Sequence, residues 1–272
     1  MKFDFRRIHF AASVALLAFP FITAAQQVPA DAVLRNFQPT GDYILEVDGQ
    51  EYPKAKIYRS QTAAAFLIRA AALDSPVLLS PRAGSVQTVS IMSLNMQPTG
   101  AIDILANAQM IPQGRFKVEG EEVVFSADGH AARLKPKPPL TGLQDSAGML
   151  AHSPSYGLTA ESYTPDSKVM EGLRNEASSV RVKVFFGSWC PFCKTYVPRM
   201  IKVDELLQGS KVKVEYYGLP KPPFNDDPAA KAEKVGGVPT GIVYLGKREL
   251  GRIQGDQWTS PEKAIRSILS GS

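Results

Sequence analysis

Cysteine is scarce in this chain, because its 272 residues include only Cys190 and Cys193. Two cysteines exclude a framework of several disulfides and a zinc site made of four cysteines. Histidine is also scarce, and the three residues, His9, His130 and His152, are remote from the cysteines in sequence. A mixed cysteine and histidine zinc site is therefore disfavoured, and we expect no metal and no cofactor.

Long apolar runs are missing as well. The one candidate, residues 10–22, has 13 residues and is interrupted by Pro20, whereas a membrane-spanning helix needs about 20. No cysteine follows this run, so lipoprotein processing is excluded. We expect no stable membrane span.

The first 25 residues match the pattern of a cleavable signal peptide. Positive charges precede the apolar run and small residues, ending at Ala25, follow it. This pattern predicts cleavage after Ala25 and a periplasmic or secreted mature protein. A retained anchor is an alternative, and Arg6-Arg7 raises a twin-arginine signal as another.

A large excess of charge of one sign is also lacking, since the formal net charge is only +5. This value gives no indication of nucleic-acid binding. The local basic run over 133–137 is interpreted as a solvated strand end.

Residues 30–137 are predicted to form a mainly β domain. Tyr43 to Val47 and Lys54 to Tyr58 flank Asp48-Gly49, which favours a hairpin. Residues 63–73 are continuously apolar, so helix and buried strand remain open there. This region carries no nucleophile motif or phosphate loop; a scaffold, a partner-binding module and a homodimer interface are the alternatives.

Proline, glycine and serine are frequent over 138–162, which predicts a linker. From 163 to 272 the pattern changes to alternating helices and strands. A buried strand at 182–186 leads directly into the cysteine pair, and a helix follows.

The spacing of Cys190 and Cys193 predicts reversible disulfide chemistry. Residues three apart at the start of a helix lie about one turn apart, and unpaired N–H groups there favour a thiolate. The thiolate is the form that attacks disulfides. A structural disulfide would close a very small loop and stabilise little, and a copper carrier is disfavoured by the apolar Trp189 and Phe192.

Over residues 160–272 the chain resembles the thioredoxin superfamily. The resemblance rests on Trp189 before the first cysteine, Lys194 after the second, Pro198 within the helix and the sequence Gly-Val-Pro-Thr at 237–240. Gly246 also falls where the family has a hairpin turn. It implies an α/β thioredoxin-like C-terminal domain with a central mixed sheet flanked by helices, preceded by the smaller mainly β domain.

The resemblance also implies roles for individual residues. Cys190 would be the exposed nucleophile, and Cys193 the thiol that resolves the mixed disulfide. Pro239 would form a cis bond that presents the backbone of Val238 to a substrate chain. Trp189 would offer an apolar contact to partners, with simple packing as the alternative, and Lys194 could favour the thiolate.

Two positions differ from the family pattern. Val184 stands where thioredoxins carry a buried acid that assists proton transfer, and Glu215 is a weak substitute. Pro191-Phe192 replaces the Gly-Pro of reducing thioredoxins, so the direction of electron flow stays open.

These observations predict an enzyme, namely an exported thiol–disulfide oxidoreductase. Its partners would be cysteine-containing exported proteins and an upstream redox protein. The alternative is a partner-binding module whose redox site serves one dedicated target, as in envelope or cytochrome assembly.

Overall fold

The computed structural model describes residues 34–224 and 226–271. The predicted signal peptide, residues 1–25, lies outside the described residues. The molecule is mixed α/β, with several sheets, most of their strand pairs antiparallel, and few helices. None of the helices in the described ranges is long and apolar enough to cross a membrane.

Residues 38–136 contain strands and one 3-10 turn. In chain order the strands are β1 (Gln38–Thr40), β2 (Tyr43–Val47), β3 (Gln50–Tyr52), β4 (Lys56–Ser60), β5 (Ala65–Arg69), β6 (Val77–Ser80), β7 (Ser85–Val89), β8 (Leu94–Met96), β9 (Ile102–Ile104), β10 (Met110–Arg115), β11 (Lys117–Glu119), β12 (Glu122–Ala127) and β13 (His130–Pro136). One sheet has the order β1-β4-β5-β6-β7-β10 and the other β11-β12-β13-β2-β3, while β8 and β9 pair separately.

The two larger sheets share one apolar core. Leu45 and Leu134 from the five-stranded sheet cluster with Ile57, Ile68 and Leu79 from the six-stranded sheet, and all are buried. A second cluster covers the other face of the six-stranded sheet. Strands buried on both faces lose the alternation of polar and apolar residues, which explains why 63–73 is ambiguous in sequence although it contains β5.

The turn after β2 forms a hairpin as predicted, but the second strand of this hairpin is not the predicted one. The turn at Asp48-Gly49 leads into β3, which pairs with β2. The predicted partner, Lys54 to Tyr58, instead overlaps β4, which pairs with β1 and β5 in the other sheet. Pro53 follows β3 directly, and because proline has no N–H it cannot extend the ladder.

Residues 142–270 alternate helices and strands. The elements are β14 (Gly142–Gln144), α1 (Ser146–His152), α2 (Pro154–Ser162), α3 (Ser167–Arg174), β15 (Val180–Phe186), α4 (Pro191–Leu206), β16 (Val212–Gly218), α5 (Pro228–Ala232), β17 (Thr240–Leu245), β18 (Arg248–Ile253) and α6 (Pro261–Ser270). The sheet order is β14-β16-β15-β17-β18, with β15 parallel to β16 and antiparallel to β17.

The segment predicted as a linker, 138–162, instead contains β14, α1 and α2. Asp145 caps α1, which begins at Ser146. Pro154 is the first residue of α2, a position that tolerates proline. Met149 and Tyr156 are buried in the core of the five-stranded mixed sheet. Residues of the segment therefore belong to the packed structure.

At Gly41 the part of the chain made of β1 to β13, residues 38–136 and called the β region below, comes close to α1 and α2. A Cβ added at this residue would lie 2.5 Å from the carbonyl oxygen of His152 and 2.8 Å from the Cα of Ser153. Both are backbone atoms, which cannot rotate away. The β1–β2 connection is thus packed directly on the junction of α1 and α2.

We predict that Gly41→Ala lowers the free energy of unfolding by about 1–3 kcal/mol, the usual cost of overpacking. Gly172→Ala in α3 is the control, because a Cβ there meets nothing within 4 Å; it should stabilise by roughly 0.5–1 kcal/mol. Urea denaturation of both variants measures the effect. Equal stability of Gly41→Ala and wild type would contradict the close packing.

Candidate functional site

Cys190 lies at the start of α4, just after the end of β15. It is the N-cap residue, and its sulfur accepts a hydrogen bond from the N–H of Cys193 at 3.4 Å. Pro191 follows as the first helical residue, where its missing N–H costs nothing. The helix start therefore directs an otherwise unpaired N–H group at the Cys190 sulfur.

Cys193 lies one turn further into α4 and is fully buried. Its sulfur accepts a hydrogen bond from the N–H of Gly187 at 3.4 Å. Both cysteines are free thiols, so the structure represents the dithiol form.

The two thiols have pKa values shifted in opposite directions. The pKa of Cys190 is lowered to about 6, first by a hydrogen bond from the Cys193 thiol and then by the N–H groups of Cys193 and Phe192, with a smaller contribution from the charge of Lys194. Burial opposes this shift. Burial raises the pKa of Cys193, and the hydrogen bond to Cys190 raises it further. Near neutral pH Cys190 is thus the thiolate and Cys193 the thiol.

The loop before β17 lies against the Cys190 sulfur. Val238 and Pro239 are joined by a cis peptide bond, which confirms the predicted geometry. The carbonyl oxygen of Val238 lies 3.6 Å from the sulfur of Cys190. The indole of the buried Trp258 donates a hydrogen bond to the carbonyl of Pro239 at 3.1 Å, which fixes the loop from the other side.

Cys190 is less accessible than the resemblance implies, since only 5% of its surface is exposed. Trp189 and Val238 pack against the same apolar cluster as both cysteines. The large apolar residue that faces solvent here is Phe192, which is 66% exposed. An exposed aromatic ring two residues from the nucleophile is a contact surface that sequence reasoning did not single out.

Trp189 is held in place by a hydrogen bond. Its indole N–H donates to the carbonyl oxygen of Leu219 at 2.9 Å, and the ring packs partly against the clusters on both faces of the sheet. Gly187 has no side chain where the ring passes, since a Cβ there would lie 2.5 Å from it. Packing accounts for this residue, and its contact with partners stays a prediction.

Lys194 forms an ion pair with Asp42 of the β region. The Lys194 Nζ lies 2.7 Å from Asp42 Oδ1, and both side chains are half-buried. The pair restrains the one charged side chain of α4 that contributes to lowering the Cys190 pKa. Sequence reasoning missed Asp42, because it is 152 positions away from Lys194, the residue with which it pairs.

Glu215, the predicted substitute for a buried acid, does not serve the cysteines. Val184 is buried and apolar. Glu215 pairs with the exposed Arg181 at 3.4 Å, whereas its neighbour Tyr216 lies in the cluster that contains the cysteines. Because side chains alternate along β16, Glu215 faces away from the cysteine pair, and the expectation that it could substitute is wrong.

Tyr156 of α2 brings a hydroxyl group into the same cluster. The residue is 1% exposed and belongs to the same buried cluster as Cys190 and Cys193. Its hydroxyl oxygen has no hydrogen-bond partner in the described part of the chain. Burial raises its pKa, and negative charge on Cys193 raises it further, as expected for a neighbouring group. Its position in a predicted linker gave no indication of this contact.

Across 34–224 and 226–271, no group of three or more His, Cys, Asp or Glu side chains is arranged to hold a metal ion. The geometry of Cys190 and Cys193 offers the chemistry of a thiolate and a neighbouring buried thiol.

No protein-family model matches this chain, and no curated protein matches it either. Solved structures give distant likenesses. An HIV epitope scaffold is 16% identical, with 48% of this chain and 94% of that chain covered and a TM-score of 0.38. A protein of unknown function from Pseudomonas aeruginosa is 17% identical, with 47% and 93% covered and a TM-score of 0.39. Mitochondrial thioredoxin 3 from Saccharomyces cerevisiae, oxidized form, is 18% identical, with 40% and 98% covered and a TM-score of 0.25.

The shifted pKa of Cys190 predicts how fast it is alkylated at each pH. The iodoacetamide rate should rise with pH about a midpoint near 6, instead of the ordinary thiol value of about 8.5. Lys194→Gln should move the midpoint up, because a positive charge is lost. Asp42→Asn should move it down, because Lys194 is no longer neutralised.

Lys202→Gln is the matched control for this experiment, since Lys202 lies on α4 but pairs with Glu205. Its midpoint should equal that of wild type. A wild-type midpoint near 8.5 would contradict the proposed stabilisation of the thiolate.

Proposed function

We propose that the protein is an exported thiol–disulfide oxidoreductase with a thioredoxin-like domain over 163–272. The observation that carries the proposal is the pairing of a Cys190 thiolate at a helix N-terminus with a buried Cys193 thiol. The cis bond at Val238–Pro239 beside the sulfur supports it further. Export is supported by the charge and hydropathy pattern of residues 1–25.

The first step is attack by Cys190. Its thiolate forms a bond to one sulfur of a client disulfide, and the other client sulfur leaves as a thiolate. A lower pKa increases the thiolate fraction near neutral pH. The backbone at Val238, next to the sulfur, offers the client chain strand-like hydrogen bonds.

The second step is resolution by Cys193. The proton of this thiol passes to the client thiolate released in the first step. The Cys193 sulfur then attacks the Cys190 sulfur, which releases the second client sulfur as a thiolate. The client has then gained two electrons, and the Cys190–Cys193 pair is a disulfide. An upstream thiol protein would restore the dithiol, and the reverse sequence would oxidise a client instead.

Resolution requires negative charge on the buried Cys193 sulfur. Burial disfavours this charge, and Val184 supplies no acid at the usual family position. The unpartnered hydroxyl of Tyr156 is available in the same cluster. We propose that it donates a hydrogen bond to the Cys193 thiolate as that thiolate forms.

A redox site that serves one dedicated partner is the second candidate. The ion pair between Asp42 and Lys194 favours it, because the β region then adjusts the site directly. The two candidates share their chemistry and differ in the number of clients.

Replacing each cysteine separates the two steps. Cys190→Ser should abolish reduction of insulin disulfides, because no nucleophile remains. Cys193→Ser should still attack but stop at the mixed disulfide. Turbidity of precipitating insulin chains measures activity, and non-reducing gels measure the trapped complexes.

The clients trapped by Cys193→Ser distinguish the candidates. Many trapped proteins would support a general oxidoreductase, and one dominant partner would support the dedicated role. Insulin reduction by Cys190→Ser at the wild-type rate would overturn both.

Tyr156→Phe tests the resolving step. With a chromogenic aromatic disulfide, the first thiolate released reports attack by Cys190 and the second reports resolution. We expect an unchanged first phase and a second phase slower by about tenfold or more, because a hydrogen bond to a charged group contributes roughly 1.5–3 kcal/mol. Stopped-flow absorbance separates the phases.

Tyr163→Phe is the matched control, since the Tyr163 hydroxyl donates to Glu262 at 2.6 Å instead. Both phases should match wild type in this variant. An unchanged second phase in Tyr156→Phe would rule out the role of the hydroxyl.

A further inference from the structure

A cavity of about 570 Å³ lies at one end of the six-stranded sheet. It is lined where β4 and β6 begin, where β5 and β7 end and where β10 begins. Because neighbouring strands of an antiparallel sheet run in opposite directions, these strand termini lie together at one end of the sheet. The volume lies within the range of about 300–1,000 Å³ that small-molecule sites occupy.

Three cations line this cavity without a partner. The side chains of Lys54, Lys56 and Arg69 form no ion pair or hydrogen bond with the described residues, and Asp74 is the one carboxylate in the lining. Lys56 and Arg69 are directly opposite each other on β4 and β5. Like charges in this position destabilise a strand pair, so their placement is unfavourable in the protein alone.

On β13 of the neighbouring sheet, three basic side chains each lie next to a carboxylate. Lys135 lies between Glu46 and Glu51, at 2.7 and 2.9 Å. Arg133 likewise contacts two carboxylates, and His130 contacts Asp48. These three basic side chains therefore have carboxylate partners, which Lys54, Lys56 and Arg69 at the cavity lack among the described residues.

The rest of the lining is largely apolar. Leu73 and Val89 are buried, whereas Ile91 is 54% and Ile111 is 60% exposed at the same cavity. Exposed isoleucines next to cations suit a ligand with two parts, since an anionic group satisfies the charge and an apolar group covers the isoleucines.

We propose that this cavity binds a small amphipathic anion, with a carboxylate or phosphate group at Lys56 and Arg69 and an apolar chain over Ile91 and Ile111. The anion would also relieve the repulsion across β4 and β5. The site is separate from the cysteine pair, so it holds or fails independently of the proposed function.

Calorimetric titration of the mature chain with dodecanoate, below its micelle concentration, tests the proposal. We expect saturable 1:1 binding that weakens as salt is added. Acetate has the anionic group alone, and dodecyltrimethylammonium has the chain with the opposite charge; neither should bind saturably. Dodecyl phosphate in place of dodecanoate distinguishes the two anionic groups.

The double variant Lys56→Gln/Arg69→Gln should bind dodecanoate at least about tenfold more weakly. Lys117→Gln, on β11 and outside the cavity lining, is the control and should bind like wild type. Ile111→Ser should weaken dodecanoate binding while leaving the charges in place, so the proposal does not depend on one variant.

Three results would overturn the proposal: no saturable binding of either chain anion, equal affinity in the double variant and wild type, or equal binding of the cationic amphiphile. Binding of hexaglutamate but of neither chain anion would also overturn it, in favour of an acidic peptide.

Discussion

Contacts on both faces and at both edges fix the position of β15 in the sheet. Val182 and Val184 pack against the helices on one face, Phe185 packs in the cluster on the other, and β16 and β17 hydrogen-bond to the two edges. The chain therefore leaves the sheet at a fixed point, and α4 begins immediately afterwards. Because Phe185 pairs with Thr240, the cis-proline loop before β17 is brought beside the start of α4. The contact between Cys190 and Val238 follows from this register.

Local patterns in the sequence predicted the parts of the structure that depend on neighbours in the chain. The strand before the cysteines and the helix after them follow from local patterns, and the cis bond at Val238–Pro239 follows from the resemblance carried by residues 237–240. Contacts between distant residues carried no such pattern. The pairing of β2 with β13, the ion pair of Asp42 and the position of the Tyr156 hydroxyl all depend on how separate elements pack.

Two errors have a common physical origin. Glu215 was considered because it lies on the strand next to Val184, but alternation along β16 turns it to the opposite face. Proline and serine predict a linker over 138–162 when they are interpreted as helix breakers, whereas Ser146 and Pro154 are the first residues of α1 and α2. In both cases residue type was informative only together with the position of the residue within its element.

The opposite pKa shifts of the two cysteines have a consequence for proton balance. Closing the disulfide removes two electrons, but above a pH of about 6 only Cys193 still carries a proton to release. The midpoint potential of such a couple changes by about 30 mV per pH unit, which is half the value for a couple that releases two protons. The driving force of this pair would therefore vary less with ambient acidity than that of a client with two ordinary thiols. Acidification would thus shift the exchange equilibrium between the pair and its client, with no change in any contact between them.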